Sequence, residues 1–444
     1  MNTYHAKSLL TAVLLAWGTT AWSADTPALK SAFKDRFYIG TAINRAIATG
    51  AGGSRRSPDQ VSKDIALVKE QFNQVVAEND MKWALIHPRP GPEGYNFEPA
   101  DAFINFGLSN GMALAGHTLV WHAQTPQWVF AGTNPPPPEV TNAVARSVAN
   151  TNASGTNRFG RERFGGGFFG RYTGPRASRE ELLGRMRDHI HTVVGRYKGK
   201  IKVWDVVNEA LADGGTNVLR NSLWLEIIGP DFIAKAFQYA HEADPNAILR
   251  YNDYSLENSA KRRKLITLIQ SLQEQKVPVH AIGSQAHLNL SSSFEEMDRA
   301  LTEMATLGLP IHITELDVNS AQGGQRSLGA DIADNAATTQ GGLVSDADRK
   351  LANVYAGLFR AFLKHDKSIE VVTFWGPNDA NSWRASGKPL LFDGNNQPKP
   401  AFHAVIEEAK KAQENAQSLR DNQPLTAGVA SAQKPNPVKV EPGL

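Results

Sequence analysis

Two carboxylates stand in this sequence where a carboxylate is costly. Lys202–Leu211 reads Lys-Val-Trp-Asp-Val-Val-Asn-Glu-Ala-Leu, and its β-branched and aromatic part, Val203 to Val207, predicts a buried strand. That strand ends directly on Asn208 and Glu209, and a charge at the mouth of a buried strand must be paired, hydrogen-bonded or used. A role as N-cap or ion-pair partner for the next helix is the plain alternative for Glu209. A second such run, Thr314-Glu315-Leu316-Asp317, closes another strand-like segment. Hydrolysis of a glycosidic bond with retention is chemistry suited to such a pair. It needs two carboxyls about 5–5.5 Å apart, one acid/base and one nucleophile. Asn79, Asn208, Gln285, His117 and His287 are suitable hydrogen-bond partners for sugar hydroxyls. Trp121, Trp375 and Trp383 offer flat faces for pyranose rings, although each alone could equally be core.

Elements must exist to bring these residues together. Strands are predicted over Phe37–Ile43, Phe72–Glu78, Met112–Val120, Lys202–Glu209, Ile248–Asp253, Ala281–His287, Pro310–Leu316 and Val371–Gly376. Helical periodicity lies between most of them: Val61–Glu70, Leu182–Tyr197, Asp231–Glu242, Ala260–Glu274, Glu295–Leu307 and Asp348–His365, with a closing helix from Pro398 to about Gln413. Strands alternating with helices in this way predict an α/β fold, a (β/α)8 TIM barrel. Such barrels take about 250 residues or more and build their sites at the C-terminal ends of the strands. The polar residues above fall at those ends.

Two connections are long for a minimal barrel. The insertion 130–179 after the third strand carries Pro135–Pro138 and a Gly/Arg/Phe run, Arg158–Tyr172; the loop 320–345 follows the seventh. Segments of this length are functional or disordered, and the position of the first points to the rim of the site. An RGG-like nucleic-acid element is the rival reading of the Gly/Arg/Phe run.

Composition narrows the class. The 444 residues are 41% hydrophobic, enough for a large core, and the net charge is +3. No Lys/Arg block with interleaved aromatics argues for a nucleic-acid partner. The absence of cysteine excludes disulfides, thiolate metal sites and a Cys nucleophile. Residues 1–23 have the form of a signal peptide: His5 and Lys7, an apolar run from Leu9 to Trp17, and Ala21-Trp22-Ser23. Cleavage near Ala24 and a periplasmic or secreted product are expected. The apolar run is too short to span a bilayer, and no membrane partner is expected. The catalytic unit is expected over 24–413 and an unstructured tail over 414–444.

Taken in order, Glu-Asn-Asp-Met-Lys-Trp (78–83), His-Thr-Leu-Val-Trp-His (117–122), Trp-Asp-Val-Val-Asn-Glu (204–209) and Ile-Thr-Glu-Leu-Asp (313–317) resemble glycoside hydrolase family 10, the endo-β-1,4-xylanases. Tyr-Asn-Asp-Tyr (251–254), Gln-Ala-His (285–287), Thr-Phe-Trp-Gly (373–376) and Pro-Leu-Leu-Phe-Asp (389–393) match as well. The resemblance runs from about Phe37 to Ala409, the two long loops excepted. It implies a retaining enzyme cleaving xylan or xylo-oligosaccharides; no cofactor, no metal and a monomer are expected. Glu209 corresponds to the acid/base and Glu315 to the nucleophile, supported by Asn208, His287 and Asp317. Glu78, Asn79, Lys82, His117, Trp121, Gln124 and Trp375 would line the glycone side and Trp383 would cap it. Tyr254 would stand on the aglycone side, and Gln285 belongs to the same binding set.

There are departures. Ala115 stands where the family usually has Arg before Gly116, Ser255 follows Asn-Asp-Tyr, and Ser284 precedes Gln285. None removes a catalytic group; the 130–179 insertion is the larger departure. Three rivals remain. A cellulose- or glucan-cleaving relative would differ at Trp375 and Trp383. A sugar-binding protein without catalysis would be expected to lack one of the two glutamates. A metallohydrolase would use His117, His287, His312 or Asp317, yet His241-Glu242-Ala243-Asp244 is not a zinc signature and His312 suits an inward-packed strand position.

Overall fold

The computed structural model of the chain describes residues 26–134, 172–321 and 345–421. The expected signal peptide, most of the Gly/Arg/Phe run, most of the 320–345 loop and the tail beyond Asp421 lie outside the described residues. Eight parallel strands form the barrel. They are β1 (Tyr38–Ile43), β2 (Gln74–Ala77), β3 (Ala113–Gly116), β4 (Val203–Asn208), β5 (Ile248–Asp253), β6 (Ala281–Ser284), β7 (Ile311–Asn319) and β8 (Ile369–Phe374). Each pairs in parallel with the next, with register shifts between β4 and β5 and between β7 and β8, and β8 closes the circle on β1 through Tyr38 opposite Val371. The outer helices are α1 (Pro58–Gln71), α2 (Glu98–Ser109), α3 (Arg179–Arg196), α4 (Phe232–Ala243), α5 (Ser259–Glu274), α6 (Phe294–Ala305), α7 (Asp346–Lys364) and α8 (Pro400–Asp421).

Local chemistry sets several boundaries. Ser57 and Gln60 form a capping box ahead of α1, with Pro58 in its first turn. Ser178 and Glu181 form another ahead of α3, which therefore starts at Arg179 and not at Leu182. The helix α2 is absent from the set expected from sequence; its start is marked by Pro99 instead of a side-chain cap. At the other end, α8 runs to Asp421, past the expected stop near Gln413, through Glu414, Ala416, Gln417, Leu419 and Arg420, which favour helix. Among the described residues, no single strand reaches from Met112 to Val120. β3 stops at Gly116, and pairing with β4 resumes only at Val120–Trp121, because His117 and Thr118 turn inward to bond Asp205. β6 is likewise interrupted at Gln285 and Ala286, and a short strand, His287–Asn289, then pairs with Asp317–Asn319 of β7. β7 itself extends past Leu316 to Asn319.

The barrel's interior is packed by alternate strand residues and includes a buried ionic chain. Asp205 of β4 accepts from the Arg250 guanidinium (2.7 and 3.0 Å) and from His117 Nδ1 (3.0 Å). Arg250 Nη1 also meets His312 Nδ1 (3.0 Å), whose other ring nitrogen meets Glu370 (3.0 Å). Burying Asp205 and Arg250 is tolerable because they are paired with each other, and the chain ends at the exposed Glu370. His312 is thus an interior strand residue, as expected, and Asp205 a support beneath His117.

The ends of the 130–179 insertion are ordered. Ala131 forms an antiparallel bridge with Arg176 of the returning chain, Gly132 N donates to Pro175 O (2.9 Å), and Ala177 N donates to Phe130 O (2.9 Å). Arg185 of α3 donates to the carbonyls of Trp128, Val129 and Ala131 at 2.6–3.0 Å, fixing this neck on the barrel. The stretch 135–171 lies outside the described residues. Among the described residues, no helix is long and apolar enough to cross a membrane.

Candidate active site

Glu209 is the first residue after β4. It is 2% exposed, and its backbone is left-handed, with φ +57°. That conformation costs a side-chain-bearing residue about 1–2 kcal/mol, and Gln124, Ser255 and Ala286 repeat it at other strand ends around the mouth. Left-handed residues of this kind store strain, which collects at functional sites. Both carboxyl oxygens of Glu209 accept hydrogen bonds, from Trp121 Nε1 (2.9 Å) and from Gln285 Nε2 (2.9 Å). Each oxygen keeps a lone pair that could carry a proton. Burial pushes its pKa up to about 7, aided by the charges of Asp253 and Glu315 and opposed by the Gln285 and Trp121 bonds.

Glu315, on β7, is poised the other way. One of its oxygens accepts from Asn252 Nδ2 (2.8 Å), and the other faces His287 Nε2 (3.3 Å). Burial alone would raise its pKa, but the His287 bond and the His117 and His287 charges hold it below the usual carboxylate value. His287 Nδ1 in turn faces Asp317 (3.0 Å), which also accepts from Trp383 Nε1 (2.8 Å) and Arg384 Nη1 (3.0 Å). Burial opposes protonation of His287, yet Asp317 and Glu315 outweigh it and lift the imidazole to about 9. At neutral pH the ring is therefore a cation donating to both carboxylates, and it fixes Glu315 as an anion.

Asn208 and Asn252 join the two halves. Asn208 Oδ1 accepts from Asn252 Nδ2 (2.9 Å) and Gln285 Nε2 (3.2 Å), so its own amide hydrogens are turned toward the cleft. Asn252 Oδ1 accepts from Thr314 (2.7 Å). A single chain of bonds thus runs from Glu209 through Gln285, Asn208 and Asn252 to Glu315. Sequence alone puts Asn252 at a strand end without placing it in the site. Its signal is the Tyr-Asn-Asp-Tyr run, and Gly283 on β6 leaves the room it needs, since a Cβ there would overlap its side-chain oxygen. Thr314 and Arg384 are likewise missing from the expected site residues.

The remaining residues surround this pair. His117 spends Nδ1 on Asp205, leaving Nε2 for a ligand. Trp375 stands edge-on to His117 (ring centroids 5.3 Å apart) and near His287 (6.4 Å), and Trp383 lies 5.1 Å from His287. Lys82 Nζ donates to Asn79 (3.0 Å) and lies 5.1 Å from the centre of the Trp121 ring. Glu78 sits half-buried at the same wall; burial raises its pKa while Lys82 lowers it. Gln124 is half-buried, and its carbonyl accepts from Ala84 N (2.9 Å), which ties the walls after β2 and β3 together. Tyr254 lies on the Glu209 side, bonded to Asp213 (2.6 Å) and Arg220 (2.5 Å) under the Lys261 ammonium. Among the described residues, no group of three His, Asp or Glu side chains is arranged to hold a metal ion.

Two buried carboxyls whose surroundings push their pKa values apart, set among amides and tryptophans at the mouth of a parallel barrel, are the equipment of a glycoside hydrolase. The chain belongs to glycosyl hydrolase family 10, whose model matches residues 28–154 and 168–408. Residues 155–167, between the two matched stretches, fall inside the 130–179 insertion expected from sequence. The chain is 35% identical over 392 residues to a β-1,4-xylanase of Dictyoglomus thermophilum, covering 86% of this chain and 91% of that one. It is 36% identical over 388 residues to endo-1,4-β-xylanase A of Thermotoga neapolitana, covering 86% of this chain but 31% of that longer protein. Among solved structures, a family 10 endoxylanase retrieved from sugarcane soil metagenome superposes with a TM-score of 0.69 at 34% identity, covering 86% of this chain and 99% of that one. The enzyme class expected from the sequence is the class these comparisons return.

Proposed function

We propose that the chain cleaves internal β-1,4-xylosidic bonds of xylan or xylo-oligosaccharides with retention of configuration. One observation carries the reading: Glu209 and Glu315 belong to one hydrogen-bonded chain yet are poised oppositely, one to hold a proton near neutrality and one to stay ionised. That is the division of labour double displacement needs. Glu315 attacks the anomeric carbon as Glu209 gives its proton to the departing glycosidic oxygen, and a glycosyl ester forms on Glu315. Esterification removes the Glu315 charge, one of the causes holding Glu209 protonated, so Glu209 becomes more acidic in the intermediate. It then takes a proton from water, and water attacks the ester-bound carbon from the face the leaving group vacated. Asn208 bonds the 2-hydroxyl, where contacts strengthen in an oxocarbenium-like transition state.

Glu78, Asn79, Lys82, His117, Trp121, Gln124, Gln285, Trp375 and Trp383 serve as the glycone wall and Tyr254 as the aglycone wall. No cofactor enters these steps. The polar, apolar and small-residue segments of 1–23 support export to the periplasm or medium.

Xylose lacks the hydroxymethyl group of glucose, and the buried Trp375 beside His117 and His287 leaves a tight wall for it. Forcing extra heavy atoms into a packed site costs about 1–3 kcal/mol, or roughly 5- to 150-fold. Initial rates on unsubstituted xylan should therefore exceed those on carboxymethylcellulose by at least about 5-fold. Equal rates, or a faster rate on the glucan, would make this a glucanase.

A further inference from the structure

Every backbone group around the acid/base is held by another part of the chain. Glu209 N donates to Asn252 O (2.8 Å), and Glu209 O accepts from Arg220 Nε (3.1 Å). The next two amides are held by side chains of β5. Ala210 N donates to the Tyr251 hydroxyl (3.0 Å), that hydroxyl donates to Asp253 Oδ2 (2.6 Å), and Leu211 N donates to the same oxygen (3.2 Å). The other Asp253 oxygen takes Tyr254 N (2.9 Å) and the Lys261 ammonium (2.9 Å). Tyr251 and Asp253 are fully buried, whereas Tyr254 carries its hydroxyl out to Asp213 and Arg220. Two successive amides after Glu209 thus converge on one carboxylate and one phenol, where Glu209 holds its left-handed turn at φ +57°. Hydrogen bonds to a buried carboxylate are stronger than neutral ones and directional, which suits them to hold a strained residue.

We propose that Asp253, with Tyr251 as its arm, is a positioning residue for the acid/base: it clamps the Glu209–Leu211 turn so that the Glu209 carboxyl points at the leaving oxygen. The inference rests on the chain being the retaining xylanase proposed above. Asp253 acts through Glu209 and needs no contact with substrate. The charged and titratable groups facing the clamp are Glu209 and Asp213 from the β4 side, Arg220 from the same loop, Tyr251 and Tyr254 from β5, and Lys261 from α5. Burial and the Asp253 charge hold the Tyr251 phenol protonated far above its ordinary value, so it remains a donor across the working range. The Asp253 charge also favours the protonated form of Glu209, so the clamp and the proton are supplied together.

The test compares two aryl β-xylobiosides on the full chain and its variants Tyr251→Phe and Asp253→Asn. A phenyl leaving group needs a proton from Glu209; a 2,4-dinitrophenyl group does not. Small displacements of a catalytic group can cost up to about 100-fold. With Tyr251→Phe, kcat/KM for the phenyl substrate should fall about 10- to 100-fold while that for the dinitrophenyl substrate stays within about 3-fold. With Asp253→Asn, the same split should appear, and the basic limb of the phenyl profile should move to lower pH, because the lost negative charge lets Glu209 ionise earlier. Equal losses on both substrates, or no loss on either, would overturn the clamp. If Asp253→Asn does not fold, Tyr251→Phe decides alone, since it removes one hydroxyl and keeps the ring. A wild type inactive on xylan would overturn the functional reading and the clamp with it; an active wild type with unsplit variants overturns the clamp only.

Discussion

Replacement of Glu315 by alanine is expected to lower kcat/KM on xylo-oligosaccharides by at least about 10⁴-fold, the scale on which removal of a nucleophile acts. Nothing nearby can replace it. Asp317 is the nearest carboxylate along β7, but its oxygens are committed to His287, Trp383 and Arg384. Asp205 is committed to Arg250 and His117 beneath the cleft. The protein should stay folded, because the alanine leaves donors from Asn252 and His287 that cleft water can reach. The loss should be equally large on a dinitrophenyl xylobioside, since a better leaving group does not supply a nucleophile. Added azide should restore turnover and give the α-xylosyl azide, the product of one direct displacement. Turnover by the alanine variant within about 10-fold of the wild type would remove Glu315 from the nucleophile's role.

Glu209→Ala is the second large effect, and its pattern differs. General acid catalysis contributes about 10²- to 10⁴-fold, so cleavage of unactivated xylosidic bonds should fall by that amount. For a dinitrophenyl substrate, kcat/KM should be nearly retained while kcat drops, because the glycosyl-enzyme forms but lacks the base that activates water. A burst of dinitrophenolate followed by slow turnover is the expected trace, and azide should now yield the β-xylosyl azide. The pH profile should change with it. In the wild type the active form has Glu209 protonated and Glu315 ionised, so kcat/KM falls above about pH 7 as Glu209 ionises, and below the usual carboxylate range as Glu315 gains a proton. In Glu209→Ala the basic limb should vanish. Equal losses on activated and unactivated substrates would show that Glu209 is not the proton donor.

The residues behind these effects are displayed unevenly in the sequence. The glutamates are legible because a charge ending a run such as Val-Trp-Asp-Val-Val is out of place in a core. The barrel is legible because apolar strands and amphipathic helices alternate along most of the chain. Other features depend on contacts between strands distant in sequence. Asn252 is one asparagine among many until β4, β6 and β7 bring Asn208, Gly283 and Glu315 against it. The breaks in β3 and β6 fall near His117 and Ala286, residues that leave the strand through contacts the local sequence does not display. They leave it to bond Asp205 and to turn left-handed beside the cleft, and neither position carries the glycine that would mark such a turn. The helix α2 lacks a capping side chain, and α8 outruns its expected end because propensity continues where burial stops. Tyr251 and Asp253 read as an ordinary strand end, and their hold on the Glu209 turn emerges only from hydrogen bonds across two strands.

Double displacement is tested most directly by the order in which anomers appear. A proton NMR time course of unsubstituted xylohexaose with the wild-type chain reads it, because mutarotation is slow enough to leave the first product visible. Double displacement through Glu315 predicts that the new reducing ends appear first as the β-anomer, with the α-anomer growing in afterwards. Initial release of the α-anomer would mean that water attacks in a single step, and would contradict a covalent role for Glu315.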